Sequence, residues 1–142
     1  MALSVKGLCP LLQVFDMPTA LRFYRDVLGF VEVQKSGPGE DVGWAWLRLG
    51  TADLLNTAYD DGQRPASADA ARVAAHADTC LYFRCEELDA VHAYLAGQGV
   101  EASPPTTAPY GMRQLYVTDP DGYGLCFQHP TASRPGPASP AS

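Results

Sequence analysis

CPLLQVFDMPTALRFYRDVLGF, residues 9–30, has the pattern of a strand followed at once by a helix. Apolar residues alternate along its first part, as they do in a half-buried strand, and then recur at the helical spacing. Pro18 suits a first helical turn, and Gly29 suits the position just after a helix. We therefore predict a strand over residues 9–16 and a helix over residues 17–28.

The same order returns in the second half of the chain. CLYFRCEELDAVHAYLAGQG, residues 80–99, again combines a strand, an acidic turn, a helix and glycines, and such internal repeats indicate the architecture. β signals follow each helix, at residues 30–34, 42–49 and 53–57 and at residues 101–102, 112–118 and 123–128, with turn residues at 50–51 and 119–122. The predicted fold class is α+β, with two βαβββ modules that form a curved mixed sheet, or cup, with the helices outside.

The length and composition predict one domain with a hydrophobic core, because 46% of the 142 residues are hydrophobic. The domain should cover residues 1–130, with module one at about 8–59 and module two at about 78–129. Residues 60–77 have the composition of a linker in which the Ala-rich part could hold a short helix. Residues 131–142 are mostly Pro, Ala and Ser and are predicted to be a disordered tail.

The charge pattern argues against two classes of partner. The chain carries 16 acidic and 10 basic residues, a net charge of −6, and its scattered basic residues predict no nucleic-acid partner. No apolar run has membrane-spanning length and the start has no secretory signal, so we predict no membrane partner and a cytoplasmic location. Reduced, small and buried thiols are then expected at Cys9, Cys80, Cys85 and Cys126. Solvated side chains are expected at His76, His92 and His129.

Strand alternation divides the side chains of each predicted module between two faces. The face toward the helices should be apolar and form the core, and it carries Leu12, Val14, Ala45, Leu47, Leu49, Leu81, Phe83, Leu115, Val117, Leu125 and Phe127. The inward face of the cup carries Cys9, Leu11, Gln13, Trp44, Trp46, Arg48, Asp53, Leu55, Cys80, Tyr82, Arg84, Gln114, Tyr116, Thr118, Cys126 and Gln128. Its mixture of polar groups and large aromatics is typical of a binding wall.

Two motifs carry a resemblance to a known family. They are Phe15-Asp16 followed by LRFYRDVLGF at residues 21–30, and VTDPDGYGLCF at residues 117–127. Over about residues 8–129 the chain resembles the vicinal oxygen chelate superfamily of glyoxalases, bleomycin-resistance proteins and extradiol dioxygenases, in its metal-ligand-poor, bleomycin-resistance-like branch. The resemblance implies the two-module fold, a homodimer, and functions that range from antibiotic resistance to glyoxalase chemistry. Such folds host unrelated chemistries, so the function must be argued from the site.

Metal-dependent members of that family place one ligand, usually His, Gln or Glu, on the first and on the last strand of each module. By the resemblance these positions fall on Cys9, on or next to Leu55, on Cys80 and on Cys126. Such side chains do not form the oxygen-and-imidazole site that Mg²⁺, Mn²⁺ or Fe²⁺ needs, and we therefore predict no metal cofactor. The alternative is a zinc site of the three thiolates. A one-residue slip of the fourth strand would instead turn Asn56 inward.

The remaining inward side chains predict a ligand site. Trp44 and Trp46 can stack on a flat or cationic molecule, or they pack in a dimer interface. Arg48 and Arg84 can hold an anionic group of a ligand, or they pair with Asp53. The predicted ligand-binding residues are Gln13, Trp44, Trp46, Arg48, Asp53, Tyr82, Arg84, Gln114, Tyr116 and Gln128.

Our leading hypothesis from the sequence is a protein that binds and sequesters a small planar or cationic molecule in an aromatic cup without a metal. The alternative is an enzyme of the same superfamily, either a metal-dependent lyase or isomerase or a dioxygenase-like protein. No catalytic residue is assigned, because the sequence has neither a GxSxG nucleophile elbow nor a Gly-rich phosphate loop after a strand.

Overall fold

The computed structural model describes residues 1–58 and 69–131. The chain divides into two compact units, Met1–Asp69 and Ala70–Ser142, called the first and second modules below. Each contains one four-stranded mixed sheet, so the prediction of an α+β fold with two βαβββ modules is confirmed. Residues 60–68 of the linker predicted at 60–77, and residues 132–142 of the tail predicted at 131–142, lie outside the described residues. No helix in the described ranges has the length and apolar character to cross a membrane.

In the sheet of the first module, the first strand in sequence lies at an edge and pairs with the last strand. Its elements are β1 (Leu11–Val14), α1 (Met17–Leu21) with a π-helical continuation (Arg22–Val27), β2 (Val31–Lys35), β3 (Trp44–Leu49) and β4 (Ala52–Ala58). The strand order is β1-β4-β3-β2. Strand β1 runs parallel to β4, and the other neighbours are antiparallel.

The first helix begins and ends as the sequence predicts. The Asp16 carboxylate accepts a hydrogen bond from the backbone N–H of Thr19 at 3.0 Å, and Pro18 occupies the first turn. The predicted helix of residues 17–28 changes from α to π geometry at Arg22. Gly29 follows it with φ +90°, a backbone conformation that costs glycine little.

The second module repeats this order after a short helical approach. Its elements are α2 (Ala70–Ala75), a 3-10 helix (His76–Asp78), β5 (Cys80–Arg84), α3 (Leu88–Gly97), β6 (Thr106–Thr107), β7 (Met112–Thr118) and β8 (Gly124–Pro130). The strand order is β5-β8-β7-β6, with β5 parallel to β8. Helix α2 lies where the sequence leaves room for a short helix.

One predicted strand of the second module is displaced. Residues 101–102 contribute only an isolated bridge between Ala102 and Val117, and the edge strand is β6 instead, with Thr106 opposite Gln114. Pro104 and Pro105 stand between the two pairings, and proline lacks the N–H that a ladder needs. The prediction of a strand at residues 101–102 is therefore wrong.

The predicted core face is apolar and withdrawn from solvent. Its buried members are Leu12, Val14, Ala45, Leu47, Leu115, Val117, Leu125 and Phe127, and its half-buried members are Leu49, Leu81 and Phe83. Helix α1 adds Met17, Ala20 and Leu21 to the buried set, and α3 adds Leu88 and Leu95. Alternation along the strands therefore places these side chains on the core face correctly.

Asn56 is the polar exception on the core face of β4. It lies opposite Leu12 on β1 and Ala45 on β3, and it is 0% exposed. Neither its Oδ1 nor its Nδ2 has a hydrogen-bond partner among the described residues. A buried amide without partners costs free energy because it has given up its hydrogen bonds to water.

We predict that Asn56→Leu raises the free energy of unfolding by about 1–3 kcal/mol, because two methyl groups of similar shape replace the two unsatisfied polar atoms. Urea unfolding followed by circular dichroism measures this change. Asn56→Asp is the matched control, and it should destabilise the protein because it places an ionisable group of the same shape among apolar neighbours. A loss of stability in Asn56→Leu would show that the amide has partners in solution.

Helix α2 packs against the turn between β7 and β8. The buried Asp119 carboxylate accepts hydrogen bonds from the backbone N–H groups of Asp121 at 2.8 Å and Tyr123 at 2.9 Å. Gly122 has φ +94°, and a Cβ built on it would overlap the carbonyl oxygen of Val73 in α2. This close approach of two backbones therefore requires glycine.

His76 is half-buried against the same turn. Its ring stacks on the ring of Tyr123 with centroids 4.1 Å apart, and its Nδ1 lies 2.6 Å from the carbonyl oxygen of Asp121. The expectation that His76 is solvated is therefore wrong. The 3-10 helix after α2 carries the imidazole to the turn, a contact that no local pattern in the sequence signals.

Candidate functional site

A pocket of about 480 Å³ opens on one face of the first-module sheet. Its lining residues are Cys9, Leu11, Gln34, Trp44, Trp46, Leu55 and Thr57. The strand register brings them together, because Trp46 lies opposite both Gln34 and Leu55, and Trp44 lies opposite Thr57. Leu11 on β1 is the partner of Leu55. We call this side of the sheet the aromatic face.

The register also settles which residue of β4 faces the pocket. Leu55 lies on the aromatic face, and Asn56 points to the core. The slip that would turn Asn56 toward the aromatic face therefore does not occur. Thr57 lies two residues further along the same strand, so alternation predicts its position, and extending the inward face by one step would have found it.

Gln34 is a lining residue that the sequence does not reveal. The pairing of β2 with β3 is interrupted between Glu32 and Gln34, where a bulge at Val33 shifts the register by one residue. The bulge places Gln34 rather than Val33 opposite Trp46. Nothing in the local sequence marks the bulge, and regular alternation would therefore assign Gln34 to the wrong face.

Trp46 is held by two charged neighbours that do not line the pocket. Its indole Nε1 donates a hydrogen bond to Asp53 Oδ1 at 3.2 Å, and Arg48 Nε donates to the same oxygen at 2.7 Å. The Arg48 Cζ lies 5.4 Å from the centroid of the Trp46 ring, within the range of a cation–π contact. The hydrogen bond from Arg48 and, after it, the one from Trp46 lower the pKa of Asp53.

The first-module charges make one of the two contacts that the sequence leaves open for them. Arg48 pairs with Asp53, and neither side chain is among the pocket-lining residues. Gln13 is also absent from the lining, although it lies on β1. Of the predicted ligand-binding residues in this module, the structure therefore places Trp44 and Trp46 in the pocket.

The polar atoms of the lining are few. The Thr57 hydroxyl donates a hydrogen bond to the carbonyl oxygen of Gly43 at 3.0 Å, so its proton is already in use. The thiol of Cys9 is exposed, contrary to the expectation of a buried cysteine. Partial burial and, after it, the charge of Asp53 raise the pKa of Cys9. The thiol is therefore neutral at physiological pH, and the pocket is essentially apolar.

Three of the predicted site residues form a hydrogen-bonded cluster with Tyr110 on the second-module sheet. They are Gln114, Tyr116 and Gln128. Gln114 Nε2 donates to Tyr110 Oη at 2.8 Å and to Gln128 Oε1 at 2.9 Å, and Tyr116 Oη donates to Gln114 Oε1 at 3.2 Å. Both glutamines are buried, at 5% and 3% exposure. The two amides therefore fix the rings of Tyr110 and Tyr116, whose outer edges remain exposed.

Two titratable groups of this cluster are held in their neutral forms. A hydrogen bond with Tyr82 and then burial raise the pKa of Tyr116. Burial raises the pKa of Cys126 to about 11. Arg84 lies at the end of β5 and pairs with Glu86 at 3.2 Å, with both side chains largely exposed. Gln114, Gln128, Tyr110 and Tyr116 offer hydroxyl and amide hydrogen bonds.

The positions that would hold a metal do not fit a hard divalent cation. In the first module they are an exposed thiol at Cys9 and an apolar side chain at Leu55, and in the second they are Cys80 and Cys126. Neither module groups three His, Cys, Asp or Glu side chains into a metal site within its described residues. Burial raises the pKa of Cys80 as well as that of Cys126.

We predict that iodoacetamide at pH 8 modifies Cys9 first and Cys126 last, with the two rates separated about hundredfold or more, because thiolate content and access control alkylation. Mass spectrometry of the digested protein over time gives the rate at each cysteine. The same reaction in 8 M urea is the control, where about equal rates are expected for all four cysteines. Equal rates at Cys9 and Cys126 in the folded protein would contradict the burial of the Cys126 thiol.

Comparison with solved structures supports the two-module fold. The chain is similar to TnmS3, an antibiotic binding protein from Streptomyces sp. CB03234, at 25% identity and a TM-score of 0.67, over 92% of this chain and 99% of that one. A glyoxalase/bleomycin resistance protein from the same organism shares 21% identity with a TM-score of 0.63, over 87% of this chain and 100% of that one. TioX from Micromonospora sp. ML1 shares 17% identity with a TM-score of 0.69, over 88% and 98%. The latter two likenesses show the fold alone.

Comparison at the level of sequence identifies a family. No curated protein matches the chain. The sequence profile described as Glyoxalase/Bleomycin resistance protein/Dioxygenase superfamily matches residues 8–127, which include every described strand of both modules except the last three residues of β8. The chain therefore belongs to the Glyoxalase/Bleomycin resistance protein/Dioxygenase superfamily.

Proposed function

We propose that the protein binds and sequesters a small, planar, largely apolar molecule in the pocket of the first module, without a metal ion. The observation that carries the proposal is the pocket lining, in which two indoles and two leucines surround a volume of about 480 Å³. Cavities that hold drug-sized ligands have volumes of roughly 300–1,000 Å³ and mostly apolar walls. Flat aromatic molecules gain most from such walls, because they can stack on the indole faces.

The state of the nearby ionisable groups favours binding over catalysis. Proton abstraction needs a free base within reach of the ligand, and Asp53 is instead bound to Arg48 at 2.7 Å. The Cys9 thiol in the pocket lining has a raised pKa and is protonated, and the Thr57 hydroxyl there donates its hydrogen bond to the carbonyl oxygen of Gly43. The similarity to an antibiotic binding protein at 25% identity supports the same direction. The positions that would hold the metal of a lyase, isomerase or dioxygenase carry Cys9, Leu55, Cys80 and Cys126, which do not form an oxygen-and-imidazole site.

The pocket carries its own optical reporter, because Trp44 and Trp46 are the two tryptophans of the chain. The experiment is a titration of the reduced, untagged protein with neutral fused-ring aromatics, beginning with acridone, while tryptophan emission is recorded. We expect saturable quenching at one ligand per chain that EDTA does not change. The ligand should be recovered chemically unaltered.

Cys9 provides an independent readout at the same site, because it lies in the pocket lining and is exposed. Saturating acridone should slow alkylation of Cys9, and the rate at Cys85 of the second module serves as the control. Absence of saturable quenching across the panel would overturn the proposal. Conversion of the ligand to a product, or binding that EDTA abolishes, would establish the enzyme alternative instead.

We also propose that the protein is a homodimer, as the family resemblance implies. The first-module sheet supports this, because its edge strand β2 exposes Val31 at 65% and Val33 at 41%. Exposed apolar edge strands tend to pair with another chain. Sedimentation equilibrium at several protein concentrations measures the association. A monomer at every concentration would contradict the proposed homodimer.

A further inference from the structure

The charged neighbours of Trp46 have a consequence for the kind of ligand that the pocket accepts. Cation–π attraction to an indole face often recruits positively charged ligands. In this protein the Arg48 guanidinium already lies over the Trp46 ring, with its Cζ 5.4 Å from the centroid. The attraction that a cationic ligand would gain from Trp46 is therefore partly used, and the incoming charge meets a like charge nearby.

The pocket also lacks a group that would compensate a positive ligand. None of its lining residues, which are Cys9, Leu11, Gln34, Trp44, Trp46, Leu55 and Thr57, has an acidic side chain. The carboxylate that accepts the hydrogen bond of the Trp46 indole belongs to Asp53, and it is paired with Arg48 at 2.7 Å. A cation that enters would lose part of its hydration without gaining a counter-ion.

The net charge of the whole chain points in the opposite direction. A net charge of −6 attracts cations from a distance. At physiological ionic strength such attraction is screened beyond about 8 Å, whereas charges next to the ligand are screened much less. The local pair of Arg48 and Asp53 should therefore govern selectivity in the pocket.

We infer that Arg48 and Asp53 are specificity-determining residues, which make the first-module pocket prefer a neutral planar ligand over a cationic ligand of the same shape. This inference rests on the proposed function and adds the charge class of the ligand. Asp53 also acts as a positioning residue for Trp46, since its Oδ1 accepts the hydrogen bonds of both the indole N–H and the guanidinium.

The test uses two tricyclic probes with the same ring skeleton. Acridone is neutral at pH 7, and 9-aminoacridine is a cation, and both are fluorescent, so anisotropy titrations give their Kd values. In the wild-type protein acridone should bind about threefold to tenfold more tightly than 9-aminoacridine. The quantity compared between variants is the Kd of 9-aminoacridine divided by the Kd of acridone. A general loss of folding weakens the binding of both probes together and leaves this ratio unchanged.

Two variants move that ratio in opposite directions. Arg48→Gln removes the cation but keeps an N–H that can reach Asp53. The ratio should therefore fall about threefold or more, because 9-aminoacridine gains affinity relative to acridone. Asp53→Asn keeps an acceptor for the Trp46 indole but leaves Arg48 uncompensated, so the ratio should rise. Arg22→Gln is the control for Arg48→Gln, because it makes the same change of net charge at an exposed position of the first helix. It should leave the ratio unchanged.

The outcomes separate the inference from the proposed function. If neither probe binds to the wild-type protein, the proposed function falls and the inference falls with it. If both probes bind but 9-aminoacridine binds as tightly as acridone, the inference is overturned while the proposed function stands. An unchanged ratio in Arg48→Gln would likewise overturn it, since the preference would then have another origin.

Discussion

Gly122→Ala is expected to lower the free energy of unfolding by about 2–6 kcal/mol, from two separate causes. Its Cβ would overlap the Val73 carbonyl oxygen and lie 2.9 Å from the Val73 Cγ1, while the backbone would have to keep φ +94°. The strained backbone costs about 1–3 kcal/mol, and the overlap costs a further amount of about 1–3 kcal/mol. Differential scanning calorimetry and urea unfolding measure the loss.

Gly29→Ala is a matched control for the backbone part of this effect. Gly29 has φ +90°, close to the value at Gly122, and a Cβ there has nothing within 4 Å. Its substitution should therefore cost only the backbone strain of about 1–3 kcal/mol. The excess loss in Gly122→Ala then measures the contact with α2. Equal losses in the two variants would show that α2 does not rest on the turn.

A local readout accompanies the change in stability. The overlap at Gly122 pushes α2 away from the turn, and α2 leads directly into His76, whose ring stacks on Tyr123. The ring-current shift of the His76 imidazole protons should therefore decrease in the proton NMR spectrum of Gly122→Ala. The same signal should be unchanged in Gly29→Ala, which lies in the other module.

Trp46→Ala is expected to weaken acridone binding by about tenfold to hundredfold, because it removes a stacking surface and apolar contact area from the pocket. Anisotropy of the acridone emission measures the Kd without relying on the deleted indole. Trp46→Phe retains a smaller aromatic ring and should lose less affinity than Trp46→Ala. This graded loss is what a stacking contribution predicts.

The control for Trp46→Ala is Tyr94→Ala, which removes an exposed aromatic side chain from α3 in the other module. Its acridone affinity should equal that of the wild-type protein. Emission from the remaining Trp44 reports whether the pocket of Trp46→Ala is still folded. Unchanged acridone affinity in Trp46→Ala with native Trp44 emission would place the ligand elsewhere and contradict the proposed site.

The sequence predicts most of the fold because most of the strands keep a two-residue period. Alternation assigns Leu12 and Leu47 to the core and Trp44 and Trp46 to the opposite face, and both assignments agree with the burial in the structure. Helix α1 is predictable at its start, where Asp16 and Pro18 provide a local chemical signal. These features depend on neighbours in sequence and need no knowledge of tertiary contacts.

The features that the sequence does not predict depend on contacts between distant residues. The bulge at Val33 that brings Gln34 to the pocket is a property of the pairing between two strands. The stack of His76 on Tyr123 joins residues far apart in sequence. The sequence leaves open whether Arg48 binds Asp53 or a ligand, because only the geometry gives the 2.7 Å contact.

The bulge of β2 decides which of two neighbouring side chains lies beside Trp46 in the pocket. It lies in an edge strand, which is hydrogen-bonded to one neighbour only, and bulges are common at sheet edges, where they re-aim a side chain. Moving the extra residue one place along β2 would present the isopropyl group of Val33 to Trp46 in place of the amide of Gln34. The chemistry beside Trp46 is therefore set by the phase of one backbone strand as well as by the identity of its side chains.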